Sequence, residues 1–160
     1  MPRLSRLAVG AVAASLFAVA CQNVEAPNED PATTTYVSTL GVNLSQMKRT
    51  SSGLYYQDLA VGSGKAAAKD STIKVYYAGY LTTGQTFDSN INKTPFAFTL
   101  GEGQVIAGWD EGFLAGDPMR VNGRRRFVIP PSLGYGSRTN GNIPAGSVLV
   151  FDVTLVAVGG

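Results

Sequence analysis

The stretch GEGQVIAGWDEGF, residues 101–113, carries the only tryptophan of the chain, Trp109. Its large apolar residues fall at positions i, i+1, i+4 and i+8, which predicts one apolar stripe along a helix. These residues are Val105, Ile106, Trp109 and Phe113. Two glycines weaken the helix and a proline ends it, so we expect at most three turns. No other segment has convincing helical spacing.

Segments on both sides of this helix alternate between apolar and polar residues and predict antiparallel strands. The shared face carries Ile73, Val75, Tyr77 and Leu81 in residues 71–81, and Leu149, Phe151, Val153 and Leu155 in residues 147–158. Residues 54–59 and 94–101 are shorter strand candidates. The sequence therefore predicts an α+β fold in which a curved antiparallel β-sheet wraps around one short amphipathic helix.

The composition excludes several classes of function. The 160 residues contain no histidine and one cysteine. Without histidine, Ser–His and Cys–His nucleophile pairs and the commonest transition-metal ligand are missing, and we predict neither a metal nor a cofactor. A single cysteine cannot form an intramolecular disulfide. The glycines at 101, 103 and 108 do not form a dinucleotide loop, because Ile106 occupies the third glycine position of that motif.

The first 20 residues have the features of an export signal. Arg3 and Arg6 form a short positive region, and residues 7–20 form an apolar run too short to span a bilayer comfortably. The run ends at Cys21, as in the lipid-attachment sites of bacterial lipoproteins, although the preceding AVA also fits ordinary cleavage. We expect residues 1–20 to be a signal peptide and favour lipidation of Cys21. The exported protein would then be anchored to a bacterial membrane, facing the periplasm or the cell exterior.

The region between the signal and the folded domain is polar at its start. Residues 22–35 contain two prolines and little that could be buried, which predicts a flexible tether. The pattern of residues 36–52 gives no firm assignment. We therefore expect residues 21–52 to form a lipid-anchored or flexible tether and N-terminal extension, followed by a domain over residues 53–160.

The net charge gives no reason to expect binding to nucleic acid. The chain carries +2, and the two arginines of the signal account for that charge, so the remainder is neutral. The basic run Arg124-Arg125-Arg126 leads directly into Phe127-Val128-Ile129. We interpret it as the charged outer end of a strand that enters the core.

Aromatic residues are abundant at the ends of the predicted strands. They are Tyr77, Phe87, Phe96, Tyr135 and Phe151. Each of them alone could equally be a core residue or a turn residue. Together they favour an apolar pocket with few polar groups, which would bind a small apolar ligand or a side chain such as a proline ring.

Six ordered segments closely resemble FKBP-type peptidyl-prolyl cis–trans isomerases. They are VYYAGYL (75–81), GQTFDS (84–89), PFAFTLG (95–101), VIAGWDEG (105–112), RRFVIPPSLGYG (125–136) and IPAGSVLVFDVTL (143–155). The resemblance covers about residues 53–160 and implies an FKBP-like fold and isomerase activity in exported proteins. The alternative is an FKBP-fold periplasmic chaperone or binding module with little turnover.

The resemblance also implies the residues of the site. It implies catalytic roles for Tyr77, Phe87, Asp88, Tyr135 and Phe151, and substrate-binding roles for Phe96, Val105, Ile106, Trp109 and Ile143. Proline-containing polypeptides are the implied clients, and macrolides such as rapamycin are the implied inhibitors. Two departures stand out, since Gln104 replaces a frequent glutamate and the loop after Asp88 lacks the arginine that often supports this aspartate.

Overall fold

A computed structural model describes residues 28–159, and within this part of the chain one antiparallel sheet packs on one α-helix. The strands are β1 (Lys48–Arg49), β2 (Tyr55–Ala60), β3 (Thr72–Leu81), β4 (Thr86–Ser89), β5 (Phe96–Thr99), β6 (Arg124–Ile129) and β7 (Leu149–Val158), and the helix is α1 (Ala107–Gly112). Single 3-10 turns lie at Ser38–Leu40, Leu44–Gln46 and Pro131–Leu133. The predicted α+β fold, a curved sheet around one short helix, is confirmed.

Strand β3 organises the half of the sheet that carries the site. The strand order is β1-β2-β6-β7-β3-β4, and β5 also pairs with β3. The first half of β3 pairs with β5, where Ile73 lies opposite Phe98, and the second half pairs with β4, where Gly79 lies opposite Asp88. One long strand therefore brings β4 and β5 to the same edge, next to Tyr77.

The face of the sheet that α1 covers, called here the inner face, holds the main core. The two predicted strand faces of residues 71–81 and 147–158 both lie in this core. Helix α1 rests closely on β6, since a Cβ atom at Gly108 would lie 2.6 Å from Ile129, and one at Gly112 would lie 2.7 Å from Phe127. The absence of these two side chains lets the helix approach the strand.

The helix is shorter than the apolar stripe predicts. Val105 and Ile106 precede it, because Ile106 has extended backbone angles (φ −61°, ψ 146°) and the first helical residue is Ala107. The Asp110 carboxylate accepts hydrogen bonds from the N–H groups of Gly101 and Gly103, at 2.8 and 3.1 Å. These bonds hold the preceding turn outside the helix, so the stripe continues onto non-helical backbone.

The arginine run is not a charged outer end. It forms the first half of β6, and alternation sends Arg125 to the inner face, where it is 1% exposed. Its guanidinium bonds to Asp58 and to the carbonyl oxygens of Gly112, Ala115 and Asp117. Arg126 lies on the opposite face and pairs with Asp152. Because successive side chains of a strand point to opposite faces of the sheet, these consecutive arginines lie in different environments.

The extension before the domain packs on the outer face of the sheet, opposite α1. The sequence predicts a flexible tether for residues 22–35 and gives no firm assignment for residues 36–52. In the structure, residues 29–52 lie against the domain. Leu40 and Met47 form a second apolar cluster with Val128, Val148 and Val150, which the tyrosines of the extension and the sheet border. Residues 1–27, including Cys21, lie outside the described part. Within residues 28–159, no helix is both long enough and apolar enough to cross a membrane.

Candidate active site

A cleft of about 540 Å³ lies between β3, β4, β5, β7, the start of α1 and the loop of residues 134–147. All ten residues predicted for the site line this cleft. Four further lining residues, Gln104, Asn140, Gly141 and Asn142, were missed as site residues. The last three are neither aromatic nor apolar and lie at the tip of the loop of residues 134–147, so the search for aromatic residues at strand ends could not find them.

Trp109 forms the floor of the cleft and is 4% exposed. The rings of Tyr77 and Phe151 meet the indole nearly at right angles, with centroids 5.0 and 5.2 Å away. Phe96 stands at the side, 6.3 Å from both Trp109 and Tyr77, and remains 40% exposed. Edge-to-face packing of this kind fixes ring orientations. The result is a rigid aromatic cup with one open side.

Phe87 closes the cup next to Phe151, with ring centroids 5.4 Å apart. Both rings lie over Gly79, since a Cβ atom there would lie 2.6 Å from Phe87 and 2.7 Å from Phe151. Because the two rings approach the backbone this closely, the position in β3 requires glycine. The sequence shows Gly79 within VYYAGYL, but its neighbours become visible only once β4 and β7 pair with β3.

The one strong polar contact at the cup joins two predicted residues. The Tyr77 hydroxyl donates to Asp88 Oδ2 at 2.5 Å. Burial, and then this hydrogen bond, raise the pKa of the Tyr77 hydroxyl above its ordinary value, so it stays protonated at neutral pH. Tyr77 therefore acts as a donor to Asp88 and holds the carboxylate at the rim.

The loop after Asp88 is braced by an asparagine instead of an arginine. Asn90 is 9% exposed, and its Oδ1 accepts the N–H of Tyr77 at 2.7 Å. Its Nδ2 donates to the carbonyl oxygens of Val75 and Thr94 at 3.0 and 3.3 Å. One buried amide thus ties the loop to β3. The sequence analysis missed Asn90, because an asparagine in a polar loop gives no sign that its side chain is buried.

The loop of residues 134–147, the rim loop, completes the cleft with Tyr135 and Ile143. Its tip is a tight turn in which Asn140 and Ile143 exchange backbone hydrogen bonds of 3.0 and 2.9 Å. Gly141 lies in this turn at φ 54°. The turn leaves Ile143 only 5% exposed. An apolar side chain from the loop therefore faces the aromatic cup.

Gln104 lies beside the cleft and is committed to the backbone. Its Oε1 accepts the N–H of Thr99 at 3.0 Å, which links the end of β5 to the turn before α1. Val105 and Ile106 follow it directly. Because Ile106 precedes the helix, its N–H has no acceptor within the helix. The backbone at Ile106 is thus suited to donate to a carbonyl group in the cleft.

The arrangement of side chains in the cleft is suited to binding and does not depend on a nucleophile. The ionisable side chains of the cleft are Tyr77, Asp88 and Tyr135. Among residues 28–159, no three carboxylate or cysteine side chains gather in a way that could hold a metal ion. An aromatic cup with a polar rim can bury an apolar ring and hold adjacent peptide groups by hydrogen bonds.

A family model described as FKBP-type peptidyl-prolyl cis-trans isomerase matches residues 63–156. The chain belongs to this family. It is 48% identical over 106 residues to FK506-binding protein 3 of Eremothecium gossypii, covering 66% of this chain and 25% of that protein. It is 46% identical over 118 residues to peptidyl-prolyl cis-trans isomerase FKBP53 of Arabidopsis thaliana, covering 71% of this chain and 24% of that protein. The chain thus spans about a quarter of the length of these FKBP relatives.

Solved FKBP structures share the fold. AtFKBP13 superposes with a TM-score of 0.66 at 41% identity, covering 69% of this chain and 97% of that one. FkpA from Escherichia coli superposes with a TM-score of 0.65 at 36% identity, covering 76% of this chain and 55% of that one. The relatives include eukaryotic proteins as well as a bacterial one, so they do not assign a cellular location to this FKBP.

Proposed function

We propose that this chain is a peptidyl-prolyl cis–trans isomerase that accelerates rotation about X–Pro bonds of polypeptide clients. The observation that carries the proposal is the aromatic cup around Trp109, with the Tyr77–Asp88 pair as its polar contact. Such a cup fits a proline ring, and its rim can hold the neighbouring peptide groups. Family membership supports the same activity.

The physics of the reaction suits this site. Rotation about an X–Pro bond faces a barrier of about 18–20 kcal/mol, because the twisted transition state loses amide resonance. Resonance makes the planar amide the more polar form, so water stabilises it over the twisted form. Transfer into an apolar cup removes that preference, and contacts made only to the twisted amide lower the barrier further. A thousandfold acceleration requires about 4 kcal/mol.

Each group of residues has a proposed role. Tyr77, Phe96, Trp109, Ile106 and Phe151 receive the proline ring, with Val105, Phe87 and Ile143 completing the walls. The Ile106 N–H and the Tyr135 hydroxyl donate to substrate carbonyl groups. Asp88, held by Tyr77, supplies negative charge at the rim beside the rotating carbonyl. No proton transfer or covalent step is needed.

The rival function is an FKBP-fold chaperone or docking module with little turnover. The complete set of cleft residues favours the enzyme, because a docking module does not need Tyr77, Asp88 and Trp109 together around one aromatic cup. Both functions would bind proline-containing polypeptides, and we propose macrolides such as rapamycin as inhibitors of either. Turnover separates the two.

We further propose that the protein is exported and that Cys21 is lipidated. The support is the sequence alone, namely Arg3 and Arg6 before an apolar run that ends at the only cysteine. The diacylated or triacylated cysteine would anchor a bacterial protein without a membrane-spanning segment. Mass spectrometry of the mature N-terminus tests this, since a free or absent Cys21 would remove the anchor.

The activity is tested with a protease-coupled assay on a Leu-Pro tetrapeptide, with and without rapamycin. We expect saturable acceleration that rapamycin abolishes, and losses of about tenfold or more for Phe87→Ala, Asp88→Ala and Tyr135→Phe. Tyr76→Phe is the matched control, because Tyr76 does not line the cleft. Wild-type rates in all three variants would disprove the assigned roles, and rapamycin binding without turnover would favour the docking module.

A further inference from the structure

Residues 29–37, called here the strap, connect the rim loop to the turn between β3 and β4. At one end, the Glu29 N–H donates to the carbonyl oxygen of Gly146 at 2.8 Å. The Glu29 carboxylate binds close to the same point of the chain, because its Oε2 accepts the N–H of Val148 at 2.8 Å. The strap is thus joined to the end of the rim loop by two hydrogen bonds from one residue.

A series of backbone hydrogen bonds continues from this joint toward the cleft. The Gly146 N–H donates to the carbonyl oxygen of Gly136 at 2.8 Å, and the Gly136 N–H donates to that of Pro131 at 2.8 Å. Gly136 directly follows Tyr135, and Gly146 comes three residues after Ile143. The position of Glu29 is therefore coupled to Tyr135 and to the segment that carries Ile143.

The other end of the strap holds the turn between β3 and β4. The Val37 N–H donates to the carbonyl oxygen of Thr82 at 3.0 Å. Val37 also packs against Gly84, where an added Cβ would lie 2.8 Å from its Cγ1. Strand β4 begins directly after this turn and carries Phe87 and Asp88. Between these ends, the Tyr36 hydroxyl donates to the carbonyl oxygen of Pro31 at 2.8 Å and keeps the bend compact.

We propose that the strap positions the rim loop over the cleft and that Glu29 is a positioning residue for substrate binding, an inference that rests on the proposed isomerase function. Val148 is fully buried, so its N–H depends on the Glu29 carboxylate. A charge-assisted hydrogen bond is stronger than a neutral one, and a buried donor left without an acceptor is costly. Loss of the carboxylate therefore loosens the rim loop at its base.

The kinetic consequence falls on binding more than on rotation. The rim loop brings Tyr135 and Ile143 to the substrate. The floor residues Trp109 and Tyr77 belong to α1 and β3, and none of the strap's hydrogen bonds goes to these two elements. We expect Glu29→Ala to lower kcat/KM by about three- to tenfold, mainly through a higher KM. Glu29→Gln keeps an oxygen acceptor and stays within about twofold of the wild type.

The experiment uses the full chain and two measurements. Amide hydrogen exchange follows residues 134–147, and the Leu-Pro assay gives KM and kcat separately. Asp30→Ala is the matched control, since it removes an adjacent carboxylate that accepts only the N–H of Ala32 within the strap, at 2.9 Å. Glu29→Lys, which offers only donors, is a second disrupting variant. It decides the question if Glu29→Ala does not fold.

The outcomes separate the two hypotheses. Faster exchange in the rim loop and a higher KM for Glu29→Ala and Glu29→Lys, with near-wild-type values for Glu29→Gln and Asp30→Ala, would support the strap. Unchanged exchange and KM, or equal effects in Asp30→Ala, would overturn it. If the wild type shows no turnover, the isomerase function fails, and the exchange of the rim loop still decides whether the strap holds it.

Discussion

The two faces of the sheet are built by different means. The inner face buries aromatic rings against one short helix and opens into the cleft. The outer face buries the small side chains of Val128, Val148 and Val150 under Leu40 and Met47 from the extension. Large side chains such as that of Trp109 fill the inner core within the domain itself. The three valines of the outer face are instead covered by residues of the extension. The outer face of the sheet therefore depends on the extension for its burial, whereas the floor of the cleft is built within the domain.

Adjacent residues of β6 show the same contrast. The guanidinium of Arg125 is enclosed, bonds to Asp58 at 2.6 Å and lies 5.0 Å from the ring centre of Tyr56. That of Arg126 bonds to Asp152 at 2.6 Å, and its side chain is 12% exposed against 2% for Arg125. Arg126 also donates to the carbonyl oxygen of Leu40 in the extension. An identical side chain thus joins helix, loop and strand on one face, and joins the extension to β7 on the other.

The largest effect is expected when the inner arginine is removed. Arg125→Met leaves Asp58 without its partner and the carbonyl oxygens of Gly112, Ala115 and Asp117 without their donor. Asp58 is 32% exposed and keeps contact with water, but the three carbonyl oxygens lose a charged donor inside the protein, so the free energy of unfolding should fall by about 3–5 kcal/mol. Arg126→Met should cost about 1–2 kcal/mol, because water reaches its site. Urea unfolding of both variants measures the difference, and equal losses would contradict the contrast between the faces.

The sequence predicts the inner face better than the outer one for a physical reason. Alternation in residues 71–81 and 147–158 states which side chains point inward, and large aromatics at the strand ends indicate a cup. Arg125 breaks this rule, since a charge in an alternating pattern normally points outward. Its burial depends on carbonyl groups of α1 and the loop after it, which only the folded chain brings together. The contacts of residues 29–35 were missed because polar residues satisfied by hydrogen bonds resemble a flexible tether in sequence, and the pattern of residues 36–52 gave no assignment.

A smaller loss is expected from a single methyl group at the cleft. Gly79→Ala pushes the rings of Phe87 and Phe151 apart, since both lie within 2.7 Å of the new Cβ position. Overpacking of this kind costs about 1–3 kcal/mol, and the displaced rings should lower kcat/KM about tenfold. Phe87→Leu in the Gly79→Ala background makes room and should recover part of the lost stability. If the effects of Gly79→Ala and Phe87→Leu on the free energy of unfolding were strictly additive, the Phe87 ring would not be what opposes the added methyl group.

The smallest effect is expected in the ionisation of two tyrosines, one from each face of the sheet. Burial raises the pKa of Tyr77 in the cleft and of Tyr36 in the strap above the ordinary 10.0, assisted by the hydrogen bond to Asp88 in the first and by the charge of Glu29 in the second. The folded state then holds these protons more tightly than the unfolded state, so both contributions to stability are complete below pH 10 and decline as pH rises above it. Ultraviolet titration should show late ionisation of these two tyrosines, and Tyr36→Phe and Tyr77→Phe should each reduce the late absorbance change. Each variant should also show a shallower loss of stability above pH 10. An unchanged late absorbance change in Tyr77→Phe would mean that the Tyr77–Asp88 hydrogen bond does not hold the proton in solution.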